Sequence, residues 1–320
     1  MGRRLGAPGR RKRRGRKRLR TPRMTTFVQL DRAGRAVFNP MMNPARLGFL
    51  ASGFLICGTV FGAGSPATAA PPASPASAAT APKEAWVQIF NGKDLDGWTP
   101  KFKGSPVGVN LNNTFHVEDG VLKVDYSKYA NFDGRPFGHL FWKEKLSHYI
   151  IRAEYRFTGE QCPGGPSWGF RNNGIMIFSE PPDAMELNQD FPASIEVQLL
   201  GGGNPRGDQN NGSFCVPHTR ALYNGQLTTV HRTSAKEKIY MGDQWVTITV
   251  EVHGGKLIKH ILDGETVISY SQPQLDPRDA HAKLLLEKGF PQMLEGGYIC
   301  IQAESHPTEF RKIEILKLDE

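Results

Sequence analysis

The sequence predicts an all-β sandwich, on the strength of three observations. From residue 84 onward, apolar and polar residues alternate with a period of two along most of the chain, as they do in strands that bury one face. Turn signals at 118–120 (EDG), 253–255 (HGG) and 262–265 (LDGE) lie between alternating runs and favour tight hairpins. Only 279–289 (DAHAKLLLEKG) has a helical pattern. Many short strands joined by turns are typical of a sandwich rather than of βαβ units.

The alternation is strong enough to predict individual strands. The predicted strands are residues 86–90, 114–118, 121–125, 149–157, 174–179, 194–200, 245–253, 257–262, 266–270, 298–303 and 310–318. Sandwiches of 200 or more residues occur as single domains, so we predict one domain over residues 84–320.

The basic character of the chain comes from a leader, residues 1–46, and not from the predicted domain. The first 23 residues hold 12 Lys and Arg and no acid, whereas residues 84–320 hold 24 basic and 30 acidic side chains. Nothing aromatic or motif-like accompanies the run RRKRRGRKRLR, so we expect no nucleic-acid partner. The run is interpreted either as a long signal-peptide flank or as residues upstream of the true start.

An export signal is predicted at residues 47–69. The apolar run LGFLASGFLICGTVFGAG is short for a membrane span and is followed by small residues at Ala67 and Ala69, as at a cleavage site. Residues 70–83 belong to a Pro/Ala/Ser-rich tract that is typical of a linker. We therefore expect a periplasmic, cell-surface or secreted protein. An uncleaved signal is the one route by which it would contact a membrane.

Three cysteines remain after the predicted cleavage. Cys300 alternates with isoleucines and is interpreted as core, while Cys162 and Cys215 lie in Gly/Pro-rich segments. Export permits a disulfide between the latter two, although an odd count leaves at least one free thiol.

Two predicted strands place an acid beside an amide on one face. In SIEVQL, Glu196 and Gln198 alternate with apolar residues, and in YICIQAESH the pair is Gln302 and Glu304. Apolar neighbours would pack between the two sheets and leave the polar row on the outer face. A polar floor of this kind suits sugar hydroxyls, and Trp168, in a nearby Gly/Pro-rich segment, is a candidate aromatic platform.

Five segments in this order resemble the 3-keto-disaccharide hydrolase domain family. They are FNGKDLDGW (90–98), NNGIMIFS (172–179), IEVQLL (195–200), the run 242–265, and IQAESHPTEFRKIEILKL (301–318). The resemblance covers roughly residues 86–318 and implies a concanavalin A-like jelly roll with carbohydrate as its ligand. The sequence departs from the family pattern at Ser179 and Lys312, where arginine and asparagine are typical.

The resemblance implies a 3-keto sugar as substrate, for which a single base is enough, while an ordinary glycosidase would have to take its second carboxyl from another strand, at Glu304. Glycosidases need two carboxyl groups flanking the bond, and the strand of Glu196 offers only Gln198 as a second polar group. A ketone at C3 acidifies the C2 proton, so that one base, an acid and an electrophile are enough. We predict Glu196 as base or metal ligand, His218 or His306 as acid/base, and Arg311 or a bound divalent cation as electrophile.

Five further residues are predicted to bind substrate: Gln198, Asn173 of the NNGI motif, Trp168, Gln302 and Glu304. No cofactor is required by this scheme, and a divalent cation stays open. The alternative is a non-catalytic jelly-roll module that binds polysaccharide, which would need the aromatics and amides but not the charge of Glu196. His231 and His253 are interpreted as surface residues.

Overall fold

The structure is a computed structural model that describes residues 85–320, together with Gly2. The predictions for the leader (1–46), the export signal (47–69) and the linker (70–83) fall outside the described residues, apart from Gly2. Within the described part, no helix has the length and apolar character needed to cross a membrane.

The described residues form seventeen strands and one α-helix, α1 (Ala280–Glu287). The strands are β1 (Val87–Gln88), β2 (Trp98–Phe102), β3 (Phe115–Glu118), β4 (Val121–Val124), β5 (Gly138–Trp142), β6 (His148–Phe157), β7 (Asn172–Ser179), β8 (Ile195–Leu200), β9 (Phe214–Cys215), β10 (Thr219–Tyr223), β11 (Gln226–Leu227), β12 (Arg232–Thr233), β13 (Val246–His253), β14 (Leu257–Leu262), β15 (Glu265–Leu275), β16 (Tyr298–Ala303) and β17 (Thr308–Lys317).

The strands make two antiparallel sheets, which confirms the predicted sandwich. The ten-stranded sheet has the order β11-β10-β15-β14-β13-β6-β17-β4-β3, with β1 paired to β17. The seven-stranded sheet has the order β12-β9-β8-β7-β16-β5-β2. Strands β7, β8 and β9 are consecutive in the chain and adjacent in the sheet, whereas β16, which carries residue 302, joins β7 only through long-range pairing.

One hydrophobic core fills the space between the sheets. Strand β6 alternates strictly, with Tyr149, Ile151 and Tyr155 buried, while Ile195 and Val197 of β8 enter the same cluster from the other sheet. The neighbours Glu196 and Gln198 must therefore face away from the ten-stranded sheet, because successive side chains in a strand point to opposite faces. We call this side of the seven-stranded sheet its outer face.

Local sequence signals place the turns and the helix where they were predicted. The β3–β4 and β14–β15 hairpins turn at Asp119–Gly120 and Asp263–Gly264, all four with positive φ, a conformation that Gly and Asp tolerate. Asp279 caps α1 by accepting a hydrogen bond from the Ala282 amide at 2.9 Å.

Among the described cysteines there is no disulfide. Cys162, Cys215 and Cys300 are buried free thiols, so the Cys162–Cys215 pairing considered from the sequence is not formed.

Candidate functional site

The outer face of the seven-stranded sheet carries a buried carboxylate at its centre. Glu196 is only 4% exposed, yet it lines a pocket of about 310 Å³ on the side away from the core. Gln198 donates to Glu196 Oε1 at 2.6 Å, which fixes the carboxylate. Burial raises the pKa of Glu196 to about 7, although this hydrogen bond pulls it down. The carboxylate is therefore poised to accept a proton near neutral pH.

Gly174 makes room for this arrangement. It pairs with Gln198 across β7 and β8, and a Cβ there would lie 2.4 Å from Gln302 Oε1 and 2.7 Å from Glu196 Oε1. The two side chains thus meet over a position without a side chain. The amide of Gln302 is fully buried and makes no hydrogen bond of good geometry within residues 85–320, although it lies near enough to Glu196 to lower the pKa of that carboxyl.

A second carboxyl group faces the same pocket. Glu304, just beyond β16, is 2% exposed, and its Oε2 has no partner among the described residues. Burial, and then the charge of Glu196, raise the pKa of Glu304 well above its ordinary value. Two buried carboxyls that interact in this way titrate as a pair, because ionisation of one disfavours ionisation of the other.

A thiol and a guanidinium complete the polar wall. Cys215 pairs with both Glu196 and Arg232 in the strand register; burial raises the pKa of the Cys215 thiol. Arg232 is held by a hydrogen bond to Ser213 Oγ at 3.1 Å, and its Nε is buried without a partner in the described chain. It supplies positive charge beside the carboxyl pair.

The same wall has donors that a metal ion could use. Ligating atoms of Glu196, Cys215 and His231 lie within 4.8 Å of one another. A mixed oxygen, sulfur and nitrogen set suits Zn²⁺ better than Ca²⁺ or Mg²⁺, although Arg232 competes for the same place with its own charge.

Aromatic side chains also line the pocket. Trp168 is 38% exposed and lines the pocket, with its ring stacked on Phe137 at a centroid distance of 5.7 Å. Phe191 packs on the same Phe137 ring at 4.9 Å and lines the pocket beside Trp168. Asn172 also lines it and donates to the Trp168 carbonyl at 3.2 Å. The pocket therefore combines an aromatic surface with a polar floor, as sugar sites do.

Five of the predicted site residues come together here: Glu196, Gln198, Trp168, Gln302 and Glu304. Their roles stay predictions. Alternation selected the four polar residues, and position in a Gly/Pro-rich segment selected Trp168.

The prediction that Asn173 binds substrate is wrong, because its side chain does not face the pocket. It has the same parity as Ile175 and Ile177 in β7, so it faces the core and is fully buried. Its amide donates to the Gln302 carbonyl at 2.9 Å and to Thr308 Oγ1 at 3.3 Å. Asn173 ties the two sheets together, and its neighbour Asn172 is the one at the pocket.

His306 is also not brought to the pocket. Its ring is 1% exposed and packs edge-on against Phe157 and Phe170, and neither nitrogen finds a partner in residues 85–320. Burial, helped by the charge of Arg171, lowers the pKa of His306 to about 4. The structure gives it a packing position and corrects the expected acid/base role.

Arg311 lies on the other sheet. The pairing of β17 with β6 shifts register between Phe310 and Lys312, so Arg311 is the extra residue of a bulge and points outward. It bonds to Glu154 at 2.6 Å and lies over the ring of Trp245 at 4.6 Å. It is a surface ion pair rather than the electrophile of the site.

His218 stands in an adjoining pocket. Its Nδ1 bonds to Asp279 Oδ1 at 2.9 Å, and its φ of 57° is a left-handed value at which histidine is enriched. His231, interpreted from the sequence as a surface residue, lines both this pocket and that of Glu196.

Sequence reasoning missed the residues on short or irregular segments. Cys215 and Arg232 lie on two-residue strands, too short for an alternation to appear. Asn172 had a signal, since counting by two from the buried Ile175 assigns Asn173 to the core face and therefore Asn172 to the outer face.

A family model matches residues 85–316, under the description 3-keto-α-glucoside-1,2-lyase-like domain. The chain belongs to this family. The match confirms the resemblance seen in the sequence and supports a carbohydrate-related function.

Solved structures with a similar fold include two candidate glycosyl hydrolases of Parabacteroides distasonis. One is 20% identical, with a TM-score of 0.44, and the match covers 74% of this chain and 95% of that one. The other is 14% identical, with a TM-score of 0.45 and coverages of 73% and 100%. A carbohydrate-binding module of Bacillus subtilis is 10% identical, with a TM-score of 0.36 and coverages of 69% and 96%. Likenesses of this size carry no information on function.

A comparison with curated proteins found no match.

Proposed function

We propose that this domain cleaves 3-keto-glycosides by removing the C2 proton and eliminating the group at C1. The observation that carries the proposal is the pair of buried carboxyls, Glu196 and Glu304, which face one pocket with raised pKa values. The family description supports the choice of substrate class.

We assign a role to each carboxyl from the direction of its pKa shift. Near neutral pH Glu196 is partly ionised and serves as the base, because its pKa is about 7. Glu304 keeps its proton, because burial and the charge of Glu196 hold its pKa well above the ordinary value. It therefore serves as the acid.

The elimination then needs no proton donor or acceptor other than Glu196 and Glu304. Glu196 takes the proton from C2, and the electron pair of the C–H bond moves onto the ketone as an enolate. The enolate collapses, a C1–C2 double bond forms, the C1–O bond breaks, and the leaving oxygen takes the proton of Glu304. One proton passed from Glu196 to Glu304 restores both groups. Water added across the new double bond, with its hydroxyl on C1 and its hydrogen on C2, completes hydrolysis.

Stabilisation of the enolate falls to groups on the same wall. Arg232 is a charged donor in the pocket lining, and the amides of Asn172, Gln198 and Gln209 are neutral donors there. A divalent cation on Glu196, Cys215 and His231 would polarise the ketone instead, and we keep it as an alternative electrophile. Cys215→Ser separates the two, since it removes a metal ligand and leaves Arg232 in place.

The test is solvent exchange at C2 in a 3-keto sugar that lacks a leaving group. In D₂O, NMR should show that the wild-type protein replaces the C2 proton with deuterium and that Glu196→Gln does not. Parallel samples with chelator and with added Zn²⁺ report on the cation. Cleavage of unoxidised glycosides without any exchange at C2 would instead show an ordinary glycosidase.

One observation favours the second candidate, a carbohydrate-binding module. Trp168 presents a 38% exposed ring at the pocket mouth, which could hold a sugar without chemistry. Glycan binding that survives Glu196→Gln, in a protein that turns over no 3-keto-glycoside, would support that function.

We also propose that the domain acts outside the cytoplasm, on the evidence of the export signal at residues 47–69. N-terminal sequencing of exported protein should begin between residues 69 and 83. An intact RRKRRGRKR run on the cell-associated protein would argue against cleavage.

A further inference from the structure

The exposed tryptophan of the pocket belongs to a Gly/Pro-rich stretch, residues 161–170, which we call the platform segment. This segment lies directly on the chain at Glu304. A Cβ on Gly165 would lie 2.6 Å from Ser305 Oγ, and a Cβ on Gly169 would lie 2.8 Å from the Glu304 carbonyl oxygen. The approach is possible because neither position has a side chain. The aromatic surface and the second carboxyl group of the pocket are therefore in contact through the backbone.

Ser305 is fully buried and has an unusual backbone conformation. Its φ is 103°, a value that few residues other than glycine adopt. Each of its three polar groups bonds to another segment. Its amide donates to Tyr126 Oη at 2.8 Å, its carbonyl oxygen accepts from the Cys162 amide at 2.8 Å, and its Oγ accepts from Gln161 Nε2 at 2.8 Å. A strained conformation persists only where the surroundings fix it in this way, and such residues concentrate at functional sites.

One side-chain amide connects Ser305 to the platform segment. Gln161 Nε2 donates both to Ser305 Oγ and to the Pro166 carbonyl oxygen, each at 2.8 Å. Pro166 immediately precedes the 3₁₀ turn Ser167–Gly169, which carries Trp168. The backbone at Trp168 is thus attached to Ser305 through a single bridging group.

The ring of Trp168 is connected to Ser305 by a second route, through aromatic contacts. Trp168 stacks on Phe137 at a centroid distance of 5.7 Å, Phe137 packs on Phe132 at 5.6 Å, and Phe132 meets Tyr126 edge-on at 5.7 Å. The Tyr126 hydroxyl is the group that accepts the Ser305 amide. Backbone and ring of Trp168 therefore both connect to the residue that follows the second carboxyl group.

We propose that Gln161 and Ser305 are positioning residues, which hold Trp168 and Glu304 at a fixed separation so that a sugar ring stacked on Trp168 presents its C1 oxygen to the Glu304 carboxyl. A misplacement of about 1 Å can cost 10²-fold in rate, so a rigid connection of this kind affects turnover directly. The inference rests on the proposed function for the role of Glu304, but the attachment of Trp168 is measured without catalysis.

The kinetic test removes the bridge from either end. Gln161→Leu deletes the donor and should lower kcat/KM for methyl 3-keto-α-glucoside by about tenfold or more. Ser305→Ala deletes one acceptor and should also lower kcat/KM. The double variant should lose no more than Gln161→Leu alone, because both changes break the same hydrogen bond. The matched control is Gln244→Leu, which removes a donor to the Met241 carbonyl at 2.7 Å in an exposed loop and should leave kcat/KM within about twofold.

A rescue variant separates positioning from folding stability. Gln161→Lys restores an N–H donor at this position and should recover most of the kcat/KM that Gln161→Leu loses, with all variants assayed well below their Tm. If Gln161→Leu and Ser305→Ala lower Tm but keep the wild-type kcat/KM, the two residues only stabilise the fold and the positioning role is overturned. Losses that simply multiply in the double variant would overturn it as well.

Fluorine NMR of protein labelled with 5-fluorotryptophan reports on the attachment itself. The Trp168 signal, assigned by its absence in Trp168→Phe, should move in Gln161→Leu and in Ser305→Ala and should stay in place in Gln244→Leu. A Trp168 signal that moves in neither variant, in a protein that turns over the substrate, would overturn the inference and leave the proposed function standing. A signal that moves in both variants, in a protein whose wild type has no turnover, would reject the proposed function and retain the attachment of Trp168.

Discussion

The outer faces of both sheets carry glutamates. On one sheet the glutamate is partly exposed and ion-paired, and on the other the glutamates are buried without an ion pair. On the ten-stranded sheet, Glu154 is 23% exposed and pairs with Arg311, which is 49% exposed. On the seven-stranded sheet, Glu196 and Glu304 are at most 4% exposed, and neither has an ion-pair partner within 4 Å among the described residues.

The comparison separates a solvated surface from a candidate site. Exposed ion pairs contribute little, because water already stabilises each charge. A buried carboxyl without a counter-ion is costly, and such groups are found where their shifted pKa values are used. Both outer faces have the same alternation of polar and apolar residues in the sequence. They differ in that the carboxyl groups of the seven-stranded sheet are buried and have no ion-pair partner.

The largest expected effect comes from substituting one glutamate on each face. Glu196→Gln should lower kcat/KM for a 3-keto-glycoside by about 10³-fold or more, in the range typical of losing a general base. Glu154→Gln makes the same change on the ten-stranded sheet and should leave kcat/KM within about twofold. Equal losses in both variants would mean that the two faces do not differ as proposed.

Glu304→Gln should have the next largest effect, about 10²-fold, because an amide cannot give up a proton to the leaving oxygen. The pH dependence of kcat/KM tests this assignment of the acid further. Wild-type kcat/KM should rise with pH as Glu196 ionises through about pH 7 and should fall where Glu304 loses its proton. In Glu304→Gln the alkaline fall should be absent, and its persistence would assign the acid to another group.

Two glycines of the seven-stranded sheet provide the third comparison. A Cβ on Gly174 meets the ends of the Gln302 and Glu196 side chains at 2.4 and 2.7 Å, whereas a Cβ on Gly138 meets the Phe102 ring at 2.2 Å. Gly174→Ala should cost about tenfold or more in activity with little change in Tm, because side-chain ends can move aside at the expense of site geometry. Gly138→Ala should mainly lower Tm, since a core ring cannot move. The reverse outcome would show that Gly174 is a packing residue.

A smaller effect is expected on the pH dependence of folding stability, where ionisation of Glu196 should destabilise the protein as the pH rises. The pKa of Glu196 in the folded protein, about 7, exceeds the ordinary 4.5. Its contribution to stability is therefore present below pH 4.5 and lost as the pH rises to about 7. Glu196→Gln should raise Tm by a few degrees at pH 8 and have less effect at pH 4. A Tm that falls at pH 8 would show that the carboxylate is well solvated or paired.

The smallest effect is expected at the bulge. Arg311→Ala should leave kcat/KM unchanged and cost about 1 kcal/mol or less in unfolding free energy, as exposed ion pairs do. Urea unfolding and steady-state kinetics check both values. A large loss of activity would return Arg311 to the site.

The sequence predicted the parts of the site that lie on long regular strands. Glu196, Gln198 and Gln302 were found because a period of two fixes which face a side chain occupies. Asn173 was misplaced by one residue, although the buried Ile175 two positions later carried the information needed to correct it.

The remaining errors have physical causes that no local pattern reveals. Arg311 belongs to a bulge, which breaks the alternation and turns the side chain outward. His306 lies between β16 and β17, where aromatic neighbours distant in sequence bury it. Arg232 and His231 reach the pocket through a short strand whose partner, β9, is set by tertiary pairing.

The most direct measurement is a carbon-13 NMR titration of the glutamate carboxyls in wild type, Glu196→Gln and Glu304→Gln. The two faces differ as proposed if, at pH 7, one carboxyl of the Glu196–Glu304 pair is still protonated and removing either partner lowers the pKa of the other. If both carboxyls titrate at ordinary glutamate values, independently of each other, then the outer face of the seven-stranded sheet is a solvated surface like its counterpart and the proposed chemistry has no basis.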